Sequence, residues 1–357
     1  MAPIRIFFLG ATGYIGSSII DLLHQKKTIG TKYALHALVR SQEKADRLRS
    51  LGIEPVLGSL DDSNLLEQEA SKADVVLAAA DADHLPSAKA VIKGLLHRPR
   101  AHADSRKRPI LIHTSGTGVL LDGAYGKFGS DTIYYDNDVA QLSTLKPTQP
   151  HRNVDLEVIS PQLVGKVDTY IVAPPTIWGF GAGPGNHNSI QVPLHVSASL
   201  KSQQALQIGQ GLNYWSKVHV ADLAHFYVSL LERALQEPQD EEEERQAASD
   251  QDRTPLPKNE DAYYFVQEGE DFTWGEVARE IAKALKELGV NDSGEVQATN
   301  PEEEQTYWPE NSGSLLGGNS RSRAAKGKEI LGWEPKHREF KEYIADEVRR
   351  QYNLQKQ

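Results

Sequence analysis

Apolar positions in the first half of the chain fall into short, nearly continuous runs, separated by stretches where they recur about every 3.6 residues. The runs are IRIFFL (4–9), ALHALV (34–39), EPVLG (54–58), DVVLAAA (74–80), ILIHTS (110–115) and DTYIVAP (168–174). Strands apolar on both faces belong to a sheet covered on both sides. Between the first two runs, YIGSSIIDLLHQKK lines Ile15, Ile19, Leu22 and Leu23 along one helix face. Strands alternating with helices predict an α/β fold with a doubly wound parallel sheet and right-handed crossovers.

The texture changes near residue 178. Glycine, proline and polar residues dominate 179–214, then KVHVADLAHFYVSLLERAL reads as a short strand and a helix. After an acidic stretch come a strand (AYYFVQ), a helix (TWGEVAREIAKALKEL) and a tail through ILGWEP. The expected organisation is a sheet domain over 1–178, completed by about 215–235, and a smaller discontinuous substrate region from 179–214 and 255–357. That region would pack over the sheet's carboxyl edge, where such folds bind ligands.

Charge refines this picture in two places. The formal net charge is −10, but eight acids and one arginine lie between Glu237 and Asp252, which leaves −3 for the rest. Residues 237–257 therefore read as a solvated, mobile loop. The basic run HRPRAHADSRKRP, with Arg98, Arg100, Arg106, Lys107 and Arg108, has no interleaved aromatics and reads as a helix-to-strand loop, so no nucleic-acid partner is expected. Without cysteine there is no disulfide, thiol nucleophile or thiolate metal site. No stretch is long and apolar enough for a membrane span, and a cytoplasmic protein, monomeric or homodimeric, is expected.

The first candidate chemistry is LGATGYIG (9–16), a glycine-rich turn between strand one and helix one. A pyrophosphate can rest on a helix N-terminus only where the backbone approaches it closely, and glycines permit that. Cofactor contacts are therefore placed on Gly10, Thr12, Gly13, Tyr14, Ile15 and Gly16. At the end of strand two, where an acid would take a ribose 2′-hydroxyl, the chain has Arg40, which suits a 2′-phosphate. This favours NADP(H) over NAD(H). Asp61 is placed either at the adenine edge or as a helix cap, and Ala79 and Ala80 leave room for the ribose and nicotinamide.

LGATGYIG, LVRS, GSLDD, DVVLAAAD, ILIHTSGTG, IVAPPTIWGFGAGPG, KVHVADLA and LGWEP together resemble the extended short-chain dehydrogenase/reductase superfamily, which contains the nucleoside-diphosphate-sugar epimerases. HTSGTGVLLDG, HRNVD and NHNSIQVP resemble an epimerase-like branch of fungal type, near the NmrA-like proteins and often attached to secondary, small-molecule metabolism. The resemblance implies a Rossmann domain and a tyrosine that exchanges a proton with a substrate oxygen. A lysine four residues on assists it, and a serine or threonine after strand five holds the oxygen.

The chain departs from that pattern. Only Tyr352 and Lys356 have the spacing, and they stand in the last residues, where order is not expected. The family's tyrosine position falls near His151 and its lysine position on Asp155. One turn apart, these could pair, with Asp155 tuning the imidazole as proton donor; the alternative is an exposed helix start. The hydroxyl position falls on Gly116, so Ser115 or Thr117 is the candidate, unless both only satisfy a turn. Tyr134 and Tyr135 are placed at the pocket, Tyr135 as a substitute phenol. Pro174 and Thr176 are expected against the nicotinamide. Trp178 and Trp215 would supply apolar walls, Asn188 a polar contact, and the glycines 179–185 a flexible wall. Histidines 187, 195, 219 and 225 have no metal-ligand spacing, and no metal is expected.

Three functions remain open: an NADP(H)-dependent oxidoreductase on a small carbonyl or hydroxyl metabolite with a non-standard proton donor, a non-redox isomerase, dehydratase or cyclase, and a non-catalytic NADP(H) sensor.

Overall fold

The computed structural model describes residues 2–98, 108–240, 243, 245–247, 254–299, 301–308 and 312–356. Seven parallel strands form the main sheet: β1 (Ile4–Leu9), β2 (Tyr33–Val39), β3 (Glu54–Leu57), β4 (Val75–Ala78), β5 (Ile110–Thr114), β6 (Asp168–Ala173) and β7 (Tyr263–Phe265), in the order β7-β6-β5-β4-β1-β2-β3. β1 lies inside, pairing Ile6 with Leu35 on one side and with Val75 on the other. The strand order reverses between β1 and β4, and the crevice at their carboxyl ends is where ligands reach such a sheet. The first six strands agree with the apolar runs to within two residues at each end. β7 corrects the expected boundary: AYYFVQ does not belong to the second region but pairs with β6, Tyr264 opposite Val172, and closes the sheet's edge.

Helices cover both faces. α1 (Tyr14–Gln25) packs on the first core cluster through Ile19, Ile20, Leu22 and Leu23. Beside it lies the helix Val220–Ala234, with Leu223, Phe226, Leu230 and Leu231 in the same cluster. On the other face are α3 (Ser63–Ala70) and α4 (Leu85–Leu96), which meet closely, and α5 (Arg152–Val158). α2 (Gln42–Arg49) is preceded by Ser41, whose Oγ accepts from the Lys44 amide at 3.4 Å.

The smaller region has its own core, where Trp274, Trp215, Trp178, Trp308, Phe272 and Phe340 pack among the helices Gln191–Ser202, Trp274–Glu287 and Phe340–Gln355. The last helix runs past Tyr352 to Gln355 with Lys356 as its C-cap, so both residues have defined places where disorder was expected.

Candidate functional site

The glycine turn is held against the sheet by contacts that leave no room for side chains. Gly10 has φ +85°, and a Cβ there would stand 2.2 Å from the Ala79 carbonyl oxygen. A Cβ on Gly16 would stand 2.2 Å from the Gly10 carbonyl oxygen. Gly13 precedes α1 in an extended conformation and offers no side-chain cap, and the amides of Tyr14, Ile15 and Gly16 take no backbone acceptor among the described residues. Free amides at a helix start, bare of side chains, suit a pyrophosphate. The Tyr14 and Ile15 side chains do not take part: the Tyr14 hydroxyl donates to the Gly179 carbonyl at 2.6 Å, and Ile15 packs on the core.

From this turn a groove of about 670 Å³ runs along the carboxyl edge, lined by Gly10, Thr12, Gly13, Ala79 and Ala80, and by the charged or polar groups of Arg40, Lys44, Asp61, Asp81 and His84. That is ample for a dinucleotide. Lys44, not singled out from sequence, adds a second cation beside Arg40; the neighbouring acid, Glu43, pairs with Arg47 at 3.3 Å. Asp61 is no helix cap, since Asp62 precedes α3; its Oδ1 faces His84 Nε2 at 3.2 Å.

The segment 179–186 is not a loose wall. Ser17 Oγ donates to the Ala182 carbonyl at 2.8 Å and accepts from the Gly185 amide at 2.7 Å, while the Asn186 amide donates to the Thr12 carbonyl at 3.0 Å. A Cβ on Gly185 would stand 2.2 Å from the Thr12 carbonyl oxygen. The segment straps the glycine turn and places Asn186 in the groove. Asn188 instead exchanges turn hydrogen bonds with Asn186.

Beyond the far end of the groove, the turn after β5 meets the start of α5. His151 has φ +66°, uncommon for a residue other than glycine. That conformation lets one carboxylate oxygen, Asp83 Oδ1, accept from the His151 amide at 3.0 Å and face its Nδ1 at 2.9 Å. His151 Nε2 then points at the 115–118 turn, 3.1 Å from where a Cβ would stand on Gly116 or on Gly118. Burial works against the charged ring, but the hydrogen bond and charge of Asp83, with further pull from Asp155 and Asp81, outweigh it and hold His151 above the ordinary imidazole range. In turn, its bond to His151 lowers Asp83.

Ser115 continues β5, its amide donating to the Val172 carbonyl at 2.9 Å, and its Oγ donates to Asp155 Oδ2 at 2.9 Å. The same oxygen accepts from Tyr263 Oη at 2.6 Å, and Arg152 Nη1 donates to Tyr263 Oη at 2.7 Å. Asp155 is wholly buried, and loss of water raises its carboxyl to about 6. Its Oδ1 faces His113 Nε2 at 3.7 Å, too far for a hydrogen bond. Burial lowers His113 to about 4, so the two are not an ion pair near neutral pH.

These contacts correct several expectations. His151 and Asp155 do not bond each other: His151 turns outward to Asp83, and Asp155 is buried behind Ser115 rather than exposed. Of the two candidate hydroxyls, the Ser115 Oγ donates to Asp155, while Thr117 is fully buried and its Oγ1 accepts from Ser320 Oγ at 2.8 Å. Tyr134 packs on the second core cluster, and Tyr135, 43% exposed, pairs in a two-residue strand with Arg323. The Pro174 carbonyl accepts from the Thr117 amide at 3.0 Å, and Thr176 is fully buried with no partner for its Oγ1; neither residue lines the groove. Trp178 and Trp215 are each 2% exposed; their indole N–H groups donate to Glu268 and to the Gly318 carbonyl, and large apolar rings serve the second core instead of an open wall. His195 and His219 are also structural, bonding the Leu206 carbonyl and the Ala221 amide. Most of the acidic segment 241–253, and the basic residues Arg100, Arg106 and Lys107, lie outside the described residues.

Asp83, His113, Arg152, Tyr263 and Lys44 were not found from sequence. Lys44 alone carried a local signal, four residues after Arg40 in the first turn of a helix.

Residues 10–146 match a family model described as NAD(P)H-binding. The oxidase UcsJ of Acremonium sp. is 30% identical over 93% of this chain and 92% of its own. Among solved structures, a UDP-glucose 4-epimerase from Thermotoga maritima superposes with TM-score 0.62 at 15% identity, covering 99% of this chain and all of that one. A dTDP-glucose 4,6-dehydratase from Bacillus anthracis, in complex with NAD, gives TM-score 0.62 at 16% identity, covering 99% and 98%. At such identities the last two speak for the fold alone.

Proposed function

The chain belongs to the NAD(P)H-binding, epimerase-like group of the extended short-chain dehydrogenase/reductase superfamily, and on that premise we propose that it is an NADP(H)-dependent oxidoreductase of a small carbonyl or hydroxyl metabolite whose proton donor is His151. The observation that carries this reading is the fixed imidazole. Asp83 holds His151 through both its amide and its ring, and the free Nε2 faces the Ser115 turn beyond the far end of the groove.

A nicotinamide bound in the groove would supply or take up the hydride. The chain's own residues do the rest. Asp83 keeps the proton on Nδ1 and stabilises the charged ring, so Nε2–H gives its proton to a carbonyl oxygen and the ring stays oriented as it becomes neutral. The Ser115 hydroxyl, held by Asp155 at rest, turns to the same oxygen. In the reverse direction, neutral His151 takes the proton from a hydroxyl. Arg40 and Lys44 support NADP(H), since two cations line the groove and the adjacent Glu43 is taken by Arg47, which favours a 2′-phosphate.

The test is NADPH consumption against a panel of ketones and NADP+ reduction against the matching alcohols. His151→Ala should lower turnover by about 10²–10⁴ while leaving NADPH affinity within roughly twofold. Unchanged turnover in that variant would remove His151 from the mechanism. Product formed with no net change in NADPH would favour a redox-neutral isomerisation, to which the departure from tyrosine and lysine at positions 151 and 155 also lends support.

A further inference from the structure

On the face of α5 away from the groove, a pocket of about 70 Å³ opens between Val139, Leu142, Ser143, Ile159, Tyr263 and Arg152. Arg152 is 5% exposed. Its Nε is buried without a partner, and among the described residues its guanidinium makes one hydrogen bond, from Nη1 to Tyr263 Oη. A guanidinium has five donors in a planar fork, and a buried one left mostly unmatched is costly unless something else accepts from it. The two acids at the rim do not fill that role. Asp261 pairs with Lys326, which also donates to the Asp261 and Tyr263 carbonyls, and Glu260 is exposed.

We propose that this pocket is a binding site for a short aliphatic carboxylate, its two oxygens on the Arg152 fork and its methyl or ethyl group against Val139, Leu142 and Ile159. The planar fork matches a carboxylate better than a spherical anion. The volume corresponds to a few water molecules, which admits an acetate-sized group and excludes a nucleotide or sugar. The site lies outside the cofactor groove, and it is joined to the catalytic end by the line Arg152–Tyr263–Asp155–Ser115 and by the backbone, since Arg152 follows His151.

Acetate and chloride, compared at equal ionic strength near neutral pH on the full chain, test this without any substrate. Acetate should raise the melting temperature saturably by about 2 °C beyond chloride, and its methyl resonance should broaden on adding protein. Arg152→Lys, which keeps the charge but not the fork, and Ser143→Leu, which fills the pocket from its exposed rim, should both abolish the difference. Tyr263→Phe should retain it. Acetate indistinguishable from chloride, or a shift that survives both Arg152→Lys and Ser143→Leu, would overturn the proposal. So would a wild type indifferent to acetate beside a responsive Glu260→Gln, because Glu260 would then itself occupy the fork.

Discussion

The two ends of the groove are built on different plans. The phosphate end is backbone: three glycines, a helix start and two alanines, all but the alanines within one stretch of eight residues. The proton end is side chains drawn from four separate places, with Asp83 after β4, His113 and Ser115 on and just after β5, His151 and Asp155 at α5, and Tyr263 on β7. A backbone site depends on what is absent, since any Cβ at Gly10 or Gly16 meets a carbonyl oxygen. A side-chain site depends on partners that are present, and each can be exchanged with a graded effect. The first should therefore fail all at once and the second by degrees.

Gly10→Ala gives the largest expected effect. The substitution puts a methyl group into the Ala79 carbonyl at a φ that L residues rarely adopt, so NADPH binding, followed by fluorescence, should be lost. The His151 ring signal in NMR should still titrate above the ordinary range. Loss of both together, in a protein still folded by circular dichroism, would show that the two ends are not separable.

Asp155→Asn comes next. A carboxyl raised to about 6 in the folded chain against a normal value unfolded means the native state holds the extra proton between these values, so this residue costs stability as pH rises from about 4 to 6. The amide has no such cost. Relative to wild type, the variant should gain up to about 3 kcal/mol across that window in denaturant titrations. A difference independent of pH would show that Asp155 is ionised throughout.

Arg40→Ala should weaken NADPH by roughly tenfold, about 1.4 kcal/mol, and leave NADH unchanged. Equal weakening of both would end the 2′-phosphate argument. The smallest change is Asp83→Asn, which keeps the hydrogen-bond acceptor and removes the charge. His151 is charged, and able to donate, below its raised value, and carbonyl reduction falls as pH rises through that value. Without the Asp83 charge the fall should begin about one unit lower. The stability His151 adds by its raised value is likewise full below the ordinary imidazole range and lost as pH climbs through the raised one.

The same contrast explains what the sequence disclosed. β1, the turn and α1 are consecutive, and glycine spacing with helical periodicity declares them. Ser115, His151 and Asp155 could be located by counting along the chain, but not their partners. Nothing near Asp83 indicates a histidine 68 residues away, and the bond depends on a positive φ that no pattern at His151 announces. Tyr263 was hidden because β7 pairs with β6 across some 90 residues, so AYYFVQ read as part of the second region. The tryptophans were misplaced for a plainer reason: an aromatic ring suits a pocket and a core equally, and only packing decides. They hold the smaller region together.

Ser17 ties two distant parts of the molecule with a single hydroxyl, giving to Ala182 and taking from Gly185. Any attempt to graft the second region onto another sheet would have to carry a serine at that place on the receiving helix, with glycines opposite. Chimaeras joined at residue 178 without that match would present a correct phosphate turn and a correct outer wall that no longer close on each other.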